Sequence, residues 1–134
     1  MKTFFLDKFV IIIEDEPIIA LDFERTILNM GVSSVKKFFK GEKALSAIKN
    51  KKPDVVLLDI NLNNSISGYT LSEELKALNI PFIIITGSSD PQSLHKINKM
   101  RADSVLIKPV YETEIKEALT SALNFNKPGF VLAL

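Results

Sequence analysis

An α/β sandwich, built on a five-stranded parallel sheet with helices on both faces, is the fold class this sequence predicts. Two patterns predict it. Short apolar runs rich in β-branched residues alternate with stretches whose apolar residues recur three and four apart. The runs at 9–13, 55–60 and 81–86 also lack any period-two polarity, as parallel strands do when both faces are covered. Five strands, each followed by a helix, then fit one sheet with right-handed crossovers.

The elements follow in order. The run 9–13 (FVIII) is the first strand, and Ile19, Phe23, Ile27 and Met30 form the apolar stripe of the first helix. Pro17 suits that helix's first turn, and Gly31 its C-terminal stop. The second strand, 35–39, is the weakest, because Lys36 and Lys37 interrupt it. Ala44, Leu45 and Ile48 make a short second helix, and Lys-Pro-Asp at 52–54 a turn. Strand three, 55–60, leads to a helix with Leu71, Leu75 and Leu78. Strand four, 81–86, leads to a weaker one with Leu94 and Ile97. Strand five, 104–107, precedes a last helix with Ile115, Leu119 and Leu123. No repeat, low-complexity tract or linker divides the chain. The expected organisation is one domain over 1–126 and a short apolar tail over 127–134. That tail, KPGFVLAL, reads either as a strand-like extension over the core or as a contact with a partner or second copy.

Composition narrows the function. The 134 residues suffice for a single core, and 46% hydrophobic with 25% charged residues is a globular balance. A formal net charge of +1 supplies no general attraction for nucleic acid or anionic membrane. No helix-turn-helix follows the last helix, so no nucleic acid is expected to bind this chain. Zero cysteines exclude thiol catalysis and cysteine-ligated zinc. Asp7 and Lys8 break the early apolar run, and no run approaches a membrane span. The expectation is a cytoplasmic-type protein.

In open parallel sheets, ligands bind beyond the carboxyl ends of the strands. Strand one ends in Glu14-Asp15-Glu16, strand three in Asp59, strand four in Thr86-Gly87, and strand five in Lys108-Pro109. Each alone reads as a polar loop residue. Acids, a hydroxyl and an ammonium at four ends of one sheet read as a site. Glu14, Asp15 and Asp59 in one pocket would raise one another's pKa unless a cation neutralised them. Hard carboxylate oxygens without His or Cys favour Mg²⁺. A carboxylate beside Mg²⁺ can act as nucleophile toward a phosphoryl group, whose transition state needs positioning and positive charge more than a base. Mg²⁺, the Lys108 ammonium and the Thr86 hydroxyl would supply contacts to the phosphoryl oxygens, and Gly87 would leave room for a donor.

With those residues in view, the sequence resembles the receiver domain of two-component response regulators from about residue 9 to residue 125. The signature is the joint spacing of Glu14-Asp15, Asp59, Thr86-Gly87 and Lys108-Pro109. The resemblance implies a flavodoxin-like, doubly wound, three-layer fold. It implies Asp59 as phosphoacceptor, Thr86 as switch hydroxyl and Lys108 as phosphoryl-binding cation. Asp15 and Asp59 are then carboxylate ligands of Mg²⁺, Glu14 acts through a metal-bound water, and the Asn61 carbonyl completes the set. The implied partners are a histidine kinase or histidine phosphotransfer protein, a downstream protein, and in some arrangements a second copy. A cis bond between Lys108 and Pro109 is implied as well. Such a domain is a phosphoacceptor signalling module, not a classical enzyme. It acts alone or passes phosphate onward within a hybrid kinase.

The sequence departs from the family pattern at three places. Glu14 stands where Asp is frequent. The connection 61–67 lacks the usual proline and is one residue longer before Gly68. Val105 occupies the strand-five position where an aromatic residue usually turns. No departure removes a catalytic group. A Mg²⁺-dependent phosphohydrolase with a strand-end Asp is the rival class. It normally carries a second Asp two residues after the nucleophile, where this chain has Asn61. A flavin-binding module would need a glycine- and hydroxyl-rich loop after strand one, which is lacking.

Overall fold

The computed structural model describes residues 5–62 and 66–125. The element order is β1 (Phe9–Ile13), α1 (Pro17–Asn29), β2 (Ser34–Phe38), α2 (Gly41–Asn50), β3 (Val55–Asp59), α3 (Gly68–Ala77), β4 (Phe82–Thr86), α4 (Pro91–Asn98), β5 (Ser104–Ile107) and α5 (Glu112–Phe125). All strands are parallel, in the order β2-β1-β3-β4-β5. This is the flavodoxin-like order, whose growth reverses between β1 and β3 and leaves a crevice at their carboxyl ends. The tail 127–134 and residues 63–65 of the β3–α3 connection lie outside the described residues.

Successive strand side chains point to opposite faces, and here both faces are covered. Val10 and Ile12 pack with Phe23, Ile27, Ile115 and Leu119 under α1 and α5. Ile11 and Ile13 pack with Ala44, Ile48, Leu71 and Leu75 on the other side. Every residue of β1, β3 and β4 is buried, which accounts for the missing alternation in their sequences. β2 and β5 are the edges and are only partly covered. Lys36, exposed on β2, puts a charge where an open edge would otherwise invite pairing.

Three strand boundaries differ from the sequence expectation, each for a local reason. β2 runs one residue earlier, because Ser34 pairs with Phe9 and Phe38 with Ile13, leaving Phe39 beyond the ladder. β3 ends at Asp59, although the Ile60 N–H still donates to the Ile85 carbonyl at 3.0 Å. β4 starts at Phe82, because Pro81 has no N–H, while its carbonyl accepts from Val56 at 3.0 Å. The helix signals hold. Pro17 opens α1, and Gly31 follows it at φ 98°, a left-handed conformation that favours glycine. Side chains of Ser67 and Asp90 cap α3 and α4, accepting from the Thr70 and Ser93 N–H groups at 3.0 Å. The bond from Ser93 holds the Asp90 carboxyl below its ordinary value.

Because both faces of β1 are core, adjacent positions should be equally intolerant of truncation. Ile12→Ala and Ile13→Ala are each expected to cost about 2–5 kcal/mol in urea unfolding. A cost at one position and near-neutrality at the other would contradict the two-sided packing.

Candidate functional site

Register brings the acids together. Ile13 pairs with Leu58, so the next residues, Glu14 and Asp59, emerge side by side at the sheet edge. The Glu14 N–H still donates to the Phe38 carbonyl at 3.0 Å, which keeps its backbone in line with the sheet. One carboxylate oxygen each from Glu14, Asp15 and Asp59 lie within 4.8 Å of one another. Glu14 and Asp59 are buried, and Asp15 is half-buried. Lys108 follows β5, two strands from Asp59, and its long stem reaches across the end of β4. Its Nζ stands 3.5 Å from Glu14 Oε1 and 3.6 Å from Asp59 Oδ2. The Lys108 N–H donates to the Thr86 carbonyl at 2.8 Å, and the Lys108-Pro109 bond is cis.

One ammonium faces more than one buried acid, and the electrostatics register the imbalance. Burial pushes the Glu14 carboxyl up. The adjacent Asp59 adds to this, by sharing a hydrogen with the protonated form and by repulsion. The Glu16 N–H, donating to Glu14 Oε2 at 3.2 Å, and the Lys108 charge pull the other way without prevailing, and the value stands at about 8. Burial works to lower Lys108, but Asp59, Glu14 and Glu16 together hold it above its ordinary value. Glu14 Oε1 is buried and receives no hydrogen bond. An orphaned carboxylate oxygen beside two further carboxylates, with no nitrogen or sulfur donor in the group, fits a hard divalent cation such as Mg²⁺.

The remaining predicted residues fall around this cluster. The Asn61 N–H donates to Asp59 Oδ1 at 3.0 Å and orients that carboxylate, while the Asn61 side chain is exposed. Thr86 is buried at the end of β4, but its hydroxyl is not bonded to a carboxylate. It accepts from the Ser88 N–H at 3.1 Å and lies 3.5 Å from the Ser88 carbonyl. At Gly87 a Cβ would meet no atom within 4 Å, so the space beside the site is open and the glycine keeps it open. Gly68 has a tighter role. A Cβ there would stand 2.3 Å from Ile60 Cδ1 and 3.2 Å from the Ile60 carbonyl oxygen, so the glycine lets α3 begin against the residue following Asp59. Val105 is half-buried against the core under α2, α3 and α4. Sequence reasoning missed the role of the Glu16 N–H, since backbone donors leave no mark in residue identity.

Residues 10–120 match the response regulator receiver domain family. The chain is 30% identical over 127 residues to the probable transcriptional regulator ycf27 of Guillardia theta, covering 90% of this chain and 48% of that protein. It is 28% identical over 120 residues to the sensor histidine kinase RcsC of Escherichia coli, covering 85% of this chain and 12% of that protein. It therefore spans less than half the length of either relative. The signal receiver domain of a histidine kinase from Syntrophus aciditrophicus superposes with a TM-score of 0.83 at 23% identity, covering 95% of this chain and 98% of that one. Fold and strand-end acids define a phosphoacceptor signalling module rather than a classical enzyme. The chain belongs to the response regulator receiver domain family of two-component signalling, whose members pair with histidine kinases. Among the described residues, no helix is long and apolar enough to cross a membrane.

The charge imbalance gives a direct test without any phosphoryl donor. In EDTA, Asp59→Asn removes one of the crowded acids and is expected to raise Tm above wild type. Millimolar Mg²⁺ should raise the wild-type Tm by mass action and the variant's much less. A variant that melts lower in EDTA and responds fully to Mg²⁺ would contradict this account.

Proposed function

We propose that this chain accepts a phosphoryl group on Asp59 from the phosphohistidine of a histidine kinase or phosphotransfer protein, in a Mg²⁺-dependent reaction, and changes shape to control a partner. The observation that carries the proposal is the convergence of Glu14, Asp15 and Asp59 on one Lys108 ammonium. An Asp59 oxygen attacks phosphorus, the donor's N–P bond breaks, and its electron pair stays on the imidazole nitrogen, which takes up a proton. The Asn61 N–H holds one Asp59 oxygen and so aims the other. Lys108 balances charge on the transferring oxygens without leaving its place. Bound Mg²⁺ would be held by Asp15, Asp59 and the Asn61 carbonyl, with Glu14 acting through water, and would supply further positive charge. Beside the site, a groove of about 590 Å³ lined by Ile18, Leu21, Lys108, Pro109 and Val110 offers an apolar seat for the donor protein.

In a hybrid kinase the same chemistry would pass phosphate onward. The 12% of RcsC that this chain covers favours keeping that second reading. Incubation with acetyl phosphate and Mg²⁺, followed by intact mass spectrometry, tests the phosphoacceptor assignment. One phosphate should be added to wild type and none to Asp59→Asn. Equal labelling of the two proteins would place the acceptor elsewhere.

Release of the signal follows from Thr86. Its hydroxyl is held by Ser88 on its own loop, so a phosphoryl group on Asp59, rich in acceptor oxygens, would compete for it. Val105 is stiff at χ1 and too small to sweep between solvent and core. The response must then pass through Thr86 and the loop 87–91. Thr86→Ala is expected to accept phosphate yet lose most of the hydrogen-exchange change induced by beryllofluoride across 87–105. Val105→Ala should keep it. The opposite ranking would overturn this route.

A further inference from the structure

The other end of the sheet carries a polar cavity that the phosphoacceptor reading leaves unused. It lies where β4 and β5 begin, away from the acidic cluster at the strands' carboxyl ends, and holds about 310 Å³. Lys76 and Asn79 line it from the end of α3, Pro81 and Phe82 from the start of β4, and Arg101 and Asp103 from the connection between α4 and β5. The Asp103 N–H donates to the Phe82 carbonyl at 2.9 Å, which fixes the acid against the first residue of β4. Partial burial holds the Asp103 carboxyl above its ordinary value, although a backbone bond from Phe82 pulls it down.

Backbone geometry singles out Arg101. It stands at φ 57°, a left-handed conformation that glycine adopts freely and that costs a residue with a Cβ. Asn79, at φ 58°, is of a type enriched in this conformation, and arginine is not. Among the described residues Arg101 makes no ion pair, so no charged partner within the protein offsets the cost. Lys76, by contrast, pairs with Glu73 at 2.7 Å. A strained residue kept at a cavity points to a use for its side chain. The simpler role for Arg101 is to complement the C-terminal end of α4. That role needs no cavity, no acid on the same wall and no apolar floor.

We propose that this cavity binds a small zwitterion, an α-amino acid with an aliphatic side chain. Arg101 takes the carboxylate, with Lys76 adding positive charge, Asp103 takes the ammonium, and Pro81 and Phe82 receive the side chain. Guanidinium and carboxylate match in a two-pronged pair. The ammonium also suits a place where two helices end in carbonyls. A simple anion would leave Asp103 without a cation, and a simple amine would leave Arg101 without an anion. The site shares no residue with the acidic cluster and does not depend on the phosphoacceptor reading.

Thermal unfolding of the full chain tests the site, with millimolar L-leucine as the probe. Isocaproate, which is leucine without its ammonium, and isoamylamine, which is leucine without its carboxylate, are the controls. Leucine is expected to raise Tm by mass action, and the two half-ligands to leave it unchanged. Without ligand, Arg101→Gly should melt about 2–5 °C above wild type, because the strain is gone. It should also lose the leucine shift, and calorimetric titration should show leucine bound about tenfold more weakly or worse, the scale of one charged hydrogen bond. Asp103→Asn should lose the shift as well, whereas Asp59→Asn, at the far end of the sheet, should keep it. Equal shifts from leucine and either half-ligand, no shift from leucine, or a full shift in Arg101→Gly overturns the proposal. A ligand-free Arg101→Gly that melts below wild type also overturns it and assigns Arg101 to the end of α4.

Discussion

Glu14 and Asp59 lie buried side by side where β1 and β3 end, and one ammonium, that of Lys108, is paired with both. Charges of one sign are costly to bury without compensation. The arrangement persists because each carboxylate is also met by a backbone N–H, from Glu16 and from Asn61. Glu14 Oε1 still receives no hydrogen bond, although the Lys108 ammonium stands 3.5 Å away. Under the proposed function, a divalent cation would relieve this crowding of acids.

The sheet exists in a form that can bear this cost. β1, β3 and β4 are covered on both faces by aliphatic side chains, so the ends of three central strands are held at fixed spacing. Rigid strands place the acids, and the connections after them place the finer groups. Gly68 lets α3 start close to Asp59, and Ser88 bonds the Thr86 hydroxyl within its own loop. The edge strand β5 carries Lys108 at its end, and the length of the lysine stem lets an edge position serve the centre. A shorter cation there would not span the distance.

Membership of the receiver family is compatible with very different whole proteins. The relatives include a transcriptional regulator and a sensor kinase, and the chain accounts for under half of either. In this chain Ile18 is exposed beside the site and Val105 is half-buried on β5. Under the proposed function, they would bear on which donor docks and how the response leaves.

Much of this was legible in the residues because strand ends are local. Unalternating apolar runs marked the central strands, and the residue after each run was a candidate by position alone. Glu14, Asp59, Thr86 and Lys108 were found in this way, as were Pro17 and Gly31 at the ends of α1. The sequence by itself determined the sheet, its two-sided burial and the chemical types gathered at its edge. Tertiary structure decided what depends on distance and on backbone donors. Register set Glu14 beside Asp59, and burial moved the Glu14 carboxyl up. Loop geometry turned the Thr86 hydroxyl toward Ser88, and packing across 24 residues brought Glu42 to Ile66. These are long-range or main-chain contacts, and residue identity along the chain carries no record of which N–H will face which oxygen.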